Sequence, residues 1–138
     1  MKKSNSQTIL VVDDDPSILL LVKVILEGGG YRVLLAENGE SATRLIEQDQ
    51  LRIDLVLTDV VMPDIGGADL AKSMVAMRPG LRVLFMSVFQ DSDVVRVQVL
   101  GRGSGFLAKP FKMEGLISAV QRSLGEPAPE QAKVVSMS

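Results

Sequence analysis

The 138-residue chain contains no cysteine and no histidine. Without cysteine there are no disulfides, no thiolate zinc sites and no thiol nucleophile. Without histidine there is no Ser-His-Asp triad, no His-Glu-x-x-His zinc site and no imidazole on which the chain itself could carry phosphate. An excess of either charge is also lacking: 15 basic residues stand against 17 acidic ones, for a net charge of -2, and the isoelectric point is near 5.1. Such a chain has no cationic field to draw it onto nucleic acid or anionic lipid, so no nucleic-acid partner is expected. Long apolar runs are missing too. The longest, Ile18 to Val22, falls far short of the roughly 20 residues that cross a bilayer. The basic, polar opening Met1 to Gln7 leads into only Ile9 to Val12, too little for a signal-peptide core. No membrane insertion is expected, and the expected location is cytoplasmic. What chemistry there is falls to carboxylates, hydroxyls and lysines.

What is present is a chain 46% apolar and 23% charged, enough for one globular domain that hides roughly 70% of its unfolded surface without staples. Short apolar runs alternate with longer amphipathic stretches, the pattern of a parallel sheet with crossover helices. Ile9 to Val12 is a run expected of a strand covered on both faces, and it stops at Asp13-Asp14-Asp15-Pro16. Asp15 can cap a helix starting at Pro16, with Ile18, Leu21, Val22 and Ile25 as its core stripe and Gly28-Gly29-Gly30 as its stop. Further strands are expected at Tyr31 to Ala36, Asp54 to Thr58, Leu81 to Met86 and Phe106 to Ala108. Helices are expected after Asn38-Gly39, around Leu70, Met74 and Met77, and over Met113 to Leu124. Val94 to Leu100 alternates with period two as a strand would. Its place between the fourth and fifth strands nevertheless demands a crossover, so a helix is expected there. Residues 1–7 and 125–138 read as a disordered start and a flexible tail or linker around a domain of residues 8–124. Leu19, Leu20, Val24 and Leu26 make the first helix greasy over most of its circumference. Deeper burial is the reading favoured for them, and a partner or homodimer surface is the alternative.

Five βα units in about 120 residues imply a doubly wound parallel sheet, in which ligands bind at the carboxyl ends of the strands. Asp13 and Asp14 end the first strand, Asp59 the third, Ser87 the fourth and Lys109 the fifth. Three carboxylates gathered at one edge would repel unless a cation sat among them. Oxygen ligands without His or Cys select magnesium, manganese or calcium over zinc, and a small ion that stays partly hydrated suits magnesium best, with manganese possible. Positions left open on such an ion suit a phosphoryl group, whose other oxygens Lys109 and Ser87 would grip.

The segments Val11-Val12-Asp13-Asp14-Asp15-Pro16, Leu57-Thr58-Asp59-Val60-Val61-Met62-Pro63, Phe85-Met86-Ser87 and Phe106-Leu107-Ala108-Lys109-Pro110-Phe111 together resemble the signature blocks of response-regulator receiver domains. The wording around Asp59 and Lys109 is most similar to receivers of hybrid sensor histidine kinases. The resemblance implies a flavodoxin-like (βα)5 fold with strand order 2-1-3-4-5. It also implies phosphorelay signalling, in which Asp59 accepts a phosphoryl group from a sensor histidine kinase or a histidine phosphotransfer protein. Magnesium would be held by Asp14, Asp59, the Val61 carbonyl and, through water, Asp13. Lys109 would pair with the phosphoryl group and Ser87 would hydrogen-bond it. Ser87 and Phe106 would then switch together, repacking the face of the fourth helix, fifth strand and fifth helix for a downstream protein. Lys109-Pro110 would be a cis peptide. Such a chain is no enzyme beyond its own phosphorylation and slow autodephosphorylation.

Val88 stands where the family usually has a small residue, and bulky Phe89 follows it. Slow labelling by small phosphodonors is expected, with faster labelling of Val88→Ala. Taken singly, each block has a plainer reading: Asp13-Asp14-Asp15-Pro16 as a cap and turn, Asp59 as a turn aspartate, Lys109 as a solvated lysine, Phe106 as packing. Two rivals also stand beside the receiver reading. One is a haloacid-dehalogenase-like phosphatase with Asp13 as nucleophile and Asp15 as acid. The other is a receiver-like module that never takes phosphate.

Overall fold

The computed structural model describes residues 7–48, 50–60, 64–87 and 105–125. Val61, Val88, Phe89, the expected crossover helix at Val94–Leu100 and residues 1–6 and 126–138 lie outside the described residues, as does the Ser87 side chain. Five strands, β1 (Thr8–Val12), β2 (Arg32–Ala36), β3 (Leu55–Asp59), β4 (Arg82–Ser87) and β5 (Gly105–Ala108), pair in parallel in the order β2-β1-β3-β4-β5. This is the doubly wound, flavodoxin-like order expected from the sequence. Four described helices accompany them: α1 (Pro16–Gly28), α2 (Gly39–Ile46), α3 (Gly67–Met77) and α4 (Met113–Ser123). The last is the fifth helix of the sequence pattern.

Strand alternation divides the core into two layers. Ile9 and Val11 of β1 lie in the cluster beneath α1 and α4, while Leu10 and Val12 lie in the one beneath α2 and α3. All four are fully buried. A strand sealed on both faces has no room for a polar side, which is why β1 reads as an unbroken apolar run.

Local chemistry sets the helix boundaries. Asp15 accepts from the Ser17 amide at 2.9 Å, with Pro16 in the first helical position. At the other end of α1, Gly30 at φ 93° turns the chain into β2, a conformation that only glycine adopts without strain. Asn38 caps α2 by accepting from Ser41 N at 2.8 Å.

The face that α1 buries differs from the expected stripe. Leu19, Val22 and Leu26 are its core residues, with Ile18 and Ile25 partly buried beside them. Leu21, expected inward, is 47% exposed, and Leu20 and Val24 are 61% exposed, so deeper burial does not account for them. With eight aliphatic residues from Ile18 to Leu26, interrupted only by Lys23, more than one stripe fits a 3.6-residue period, and contact with the sheet decides between them. Met77 and Met113, at helical spacing from buried residues of their own helices, are also exposed.

Candidate functional site

Register brings the polar strand ends together. Val12 lies opposite Thr58, so Asp13, one step beyond β1, stands beside Asp59 at the end of β3. Ser87 ends β4 opposite Ala108 of β5, and Lys109 follows directly. Asp13 is anchored through its backbone, its amide donating to Ala36 O at 3.1 Å. Asp59 is held by Val60, whose amide donates to Met86 O at 3.1 Å. The hydroxyl of buried Thr58 is satisfied by the Asp59 carbonyl at 3.0 Å.

Carboxylate oxygens of Asp13, Asp14 and Asp59 all lie within 4.8 Å of one another. Lys109 Nζ donates to Asp13 Oδ2 at 2.8 Å and to Asp59 Oδ2 at 3.0 Å. The other Asp13 oxygen accepts from the Asp15 amide at 2.9 Å. Asp13 is fully buried, Asp59 and Lys109 nearly so, and Asp14 is exposed. Burial alone would lower the pKa of the Lys109 ammonium, but the hydrogen bonds and charges of Asp13 and Asp59 outweigh it and hold the group above its ordinary value. Three carboxylates against one ammonium leave two negative charges uncompensated among these four side chains. The donors are oxygens only, one of them deeply buried, and this set fits a hard divalent cation.

The structure therefore joins Asp13, Asp14, Asp59 and Lys109. Ser87 ends β4 at the same edge of the sheet, and Phe106 lies on β5, 38% exposed, opposite Phe85 in register. The Lys109–Pro110 peptide is cis. The phosphatase reading loses its parts. Asp13 is enclosed with both oxygens bonded, and the Asp15 carboxylate is turned to the Ser17 amide as a helix cap.

Two residues outside the four signature blocks shape the site. A Cβ on Gly67 would fall 2.2 Å from the Asp59 carbonyl oxygen, and the Gly67 amide donates to Val60 O at 2.7 Å. Only glycine lets α3 start this close behind Asp59. Asp64 accepts from the amides of Gly39 and Glu40 at the start of α2, each at 3.1 Å. Its partners lie some 25 residues away, so no local motif announces the contact.

The family model described as "Response regulator receiver domain" matches residues 9–121. The DNA-binding transcriptional regulator NtrC of Bradyrhizobium sp. (strain RP501 Parasponia) is 40% identical over 121 residues, which are 87% of this chain and 25% of NtrC. The sensor kinase CckA of Brucella abortus (strain 2308) is 30% identical over 121 residues, 88% of this chain and 13% of CckA. Among solved structures, a CheY-like response regulator receiver domain protein from Methanospirillum hungatei JF-1 superposes with a TM-score of 0.80 at 30% identity, covering 88% of this chain and 95% of that one. The chain spans about a quarter of the length of the NtrC proteins it matches.

Proposed function

This chain belongs to the response regulator receiver domain family of two-component phosphorelay signalling, and on that premise we propose that Asp59 is the residue that takes the phosphoryl group. The observation that carries the reading is the Lys109 ammonium, set 3.0 Å from Asp59 Oδ2 and 2.8 Å from Asp13 Oδ2 in an otherwise acidic pocket. The donor is a phosphohistidine on a sensor histidine kinase or a histidine phosphotransfer protein. An Asp59 carboxylate oxygen attacks phosphorus. The phosphorus–nitrogen bond breaks, its electron pair leaves with the donor imidazole, and that imidazole takes up a proton. The product is an acyl phosphate on Asp59.

Asp13, Asp14, Asp59 and the Val61 carbonyl are the groups that would hold magnesium, with manganese the nearest substitute. When bound, the ion supplies positive charge beside the oxygens of the transferring group. Lys109 exchanges its contact with Asp59 for one with a phosphoryl oxygen, and Ser87 donates its hydroxyl to another. Ser87 and Phe106 form the switch that alters the family's face of fourth helix, fifth strand and fifth helix, to which β5 and α4 of this chain contribute and where a downstream protein docks. Catalysis is confined to the chain's own phosphorylation and its slow hydrolysis. With a net charge of -2, the chain brings no nucleic-acid contact of its own. Among the described residues no helix is long and apolar enough to cross a membrane.

Intact mass after incubation with acetyl phosphate and magnesium tests the reading. The parent should gain one phosphoryl group and Asp59→Asn none. Equal labelling of both would overturn it.

A further inference from the structure

We infer that Asp64 is a positioning residue for the phosphoacceptor: by fastening the β3–α3 connection to the first amides of α2, it fixes the backbone from which Asp59 faces Asp13, Asp14 and Lys109. The inference rests on the reading of Asp59 as acceptor and deepens it.

Three consecutive amides open α2, and each is held by a side chain. Asn38 takes Ser41 N at 2.8 Å. Asp64 reaches over from another element to take Gly39 N with Oδ1 and Glu40 N with Oδ2, both at 3.1 Å. A helix of this kind is already capped by its own Asn38. The contact made by Asp64 is therefore as much an anchorage of its own loop as a service to the helix. Negative charge is favoured at a helix start, and the bond from the Gly39 amide holds the Asp64 carboxyl below its ordinary pKa.

The neighbouring contacts leave the loop little slack. A Cβ on Gly39 would come within 2.1 Å of Ile65 Cγ2, so the residue after Asp64 lies directly on the start of α2. Ile65 also packs against the core under α2 and α3. Two residues later the chain presses on the site itself. The Gly67 amide donates to Val60 O at 2.7 Å, and the missing Gly67 side chain is what admits the Asp59 carbonyl. A displacement at Asp64 and Ile65 is thus passed through Gly66 and Gly67 to the peptide that carries Asp59. Phosphoryl transfer depends on alignment of the attacking oxygen, so small displacements slow it.

The test compares Asp64→Ala, Asp64→Asn and Asn38→Ala with the parent as full chains. Phosphoryl uptake from acetyl phosphate is followed by intact mass across magnesium concentrations, beside thermal unfolding and the backbone amide resonances of Asp59 and Val60. Asn38→Ala weakens the same helix start without touching the loop. It should lower the unfolding midpoint, label within about twofold of the parent and leave those resonances in place. Asp64→Ala should label about tenfold more slowly and shift both resonances. Asp64→Asn, which keeps one acceptor oxygen, should fall between. Parent-like labelling and unshifted resonances in Asp64→Ala, or slowing that merely follows the loss of midpoint shared with Asn38→Ala, would overturn the positioning role. A parent that takes no phosphoryl group would overturn the phosphoacceptor reading itself.

Discussion

Glycines separate the demands of function from those of folding at single positions. Gly67 meets the Asp59 carbonyl oxygen head-on, whereas an added Cβ at Gly115 has nothing within 4 Å. Gly67→Ala should therefore destabilise the protein by about 1–3 kcal/mol through forced backbone movement. Gly115→Ala, in the exposed first turn of α4, should stabilise it by about 0.5–1 kcal/mol. Denaturant unfolding of the two variants checks both signs. Asp64 makes a prediction in pH. Its pKa is lowered, chiefly by the Gly39 amide, from an ordinary 3.8, so the folded state binds its proton less readily than the unfolded chain. The stability it contributes is complete above the ordinary value and is lost as pH falls through the lowered one. The gap in unfolding midpoint between the parent and Asp64→Ala should stay constant near neutrality and narrow in acid below about pH 4.

At the scale of elements, one arginine ties two helix ends together. Arg78, the residue after α3, donates to the carbonyls of Ile46, Gln48 and Leu51 at 2.7–3.2 Å. These are the last carbonyl of α2 and two from the segment that follows it. An ammonium cannot fork across three acceptors, so Arg78→Lys should cost about 1.5–3 kcal/mol in urea unfolding. Phosphoryl uptake should be unchanged, since the contact lies at the edge of the sheet opposite the acidic site. Elements of this kind show where sequence reading succeeds and stops. The strands and helix starts were legible because both-face burial leaves unbroken apolar runs and because Asp15 and Asn38 cap locally, whereas the strand order rested on the family resemblance alone. The buried face of α1 was not, since its apolar positions satisfy several stripes at once. Arg78 and Asp64 were equally hidden, because their partners are separated from them by roughly 25–32 residues.

At the scale of the molecule, the acidic edge is an electrostatic cost that a cation relieves. On the proposed magnesium site, the excess of two negative charges among Asp13, Asp14, Asp59 and Lys109 predicts that magnesium should stabilise the fold by linkage, by about 2.7 kcal/mol at a hundred times its dissociation constant. Asp14→Asn removes an exposed carboxylate of that proposed site and one like charge. In metal-free buffer it should be more stable than the parent by about 1 kcal/mol, and it should lose most of the response to magnesium. Thermal unfolding with and without the metal measures both effects. The four residues that define the site were legible because parallel strands end at one edge, so separate apolar runs predict neighbours. Their spacing to one another came only from the register.

The ammonium among those carboxylates is supplied by the outermost and shortest strand. β5 has four residues and, among the described residues, pairs with β4 alone, yet Lys109 reaches from its end to Asp13 beyond β1, three strands further in. A tether of that kind is only as durable as its weaker anchorage, and boundary strands fray before interior ones. An unzipping of β5 would carry the positive charge away and leave the acids facing one another. The lifetime of the assembled pocket is thus set at the rim of the sheet, and a ligand that grips Lys109 also seals that rim.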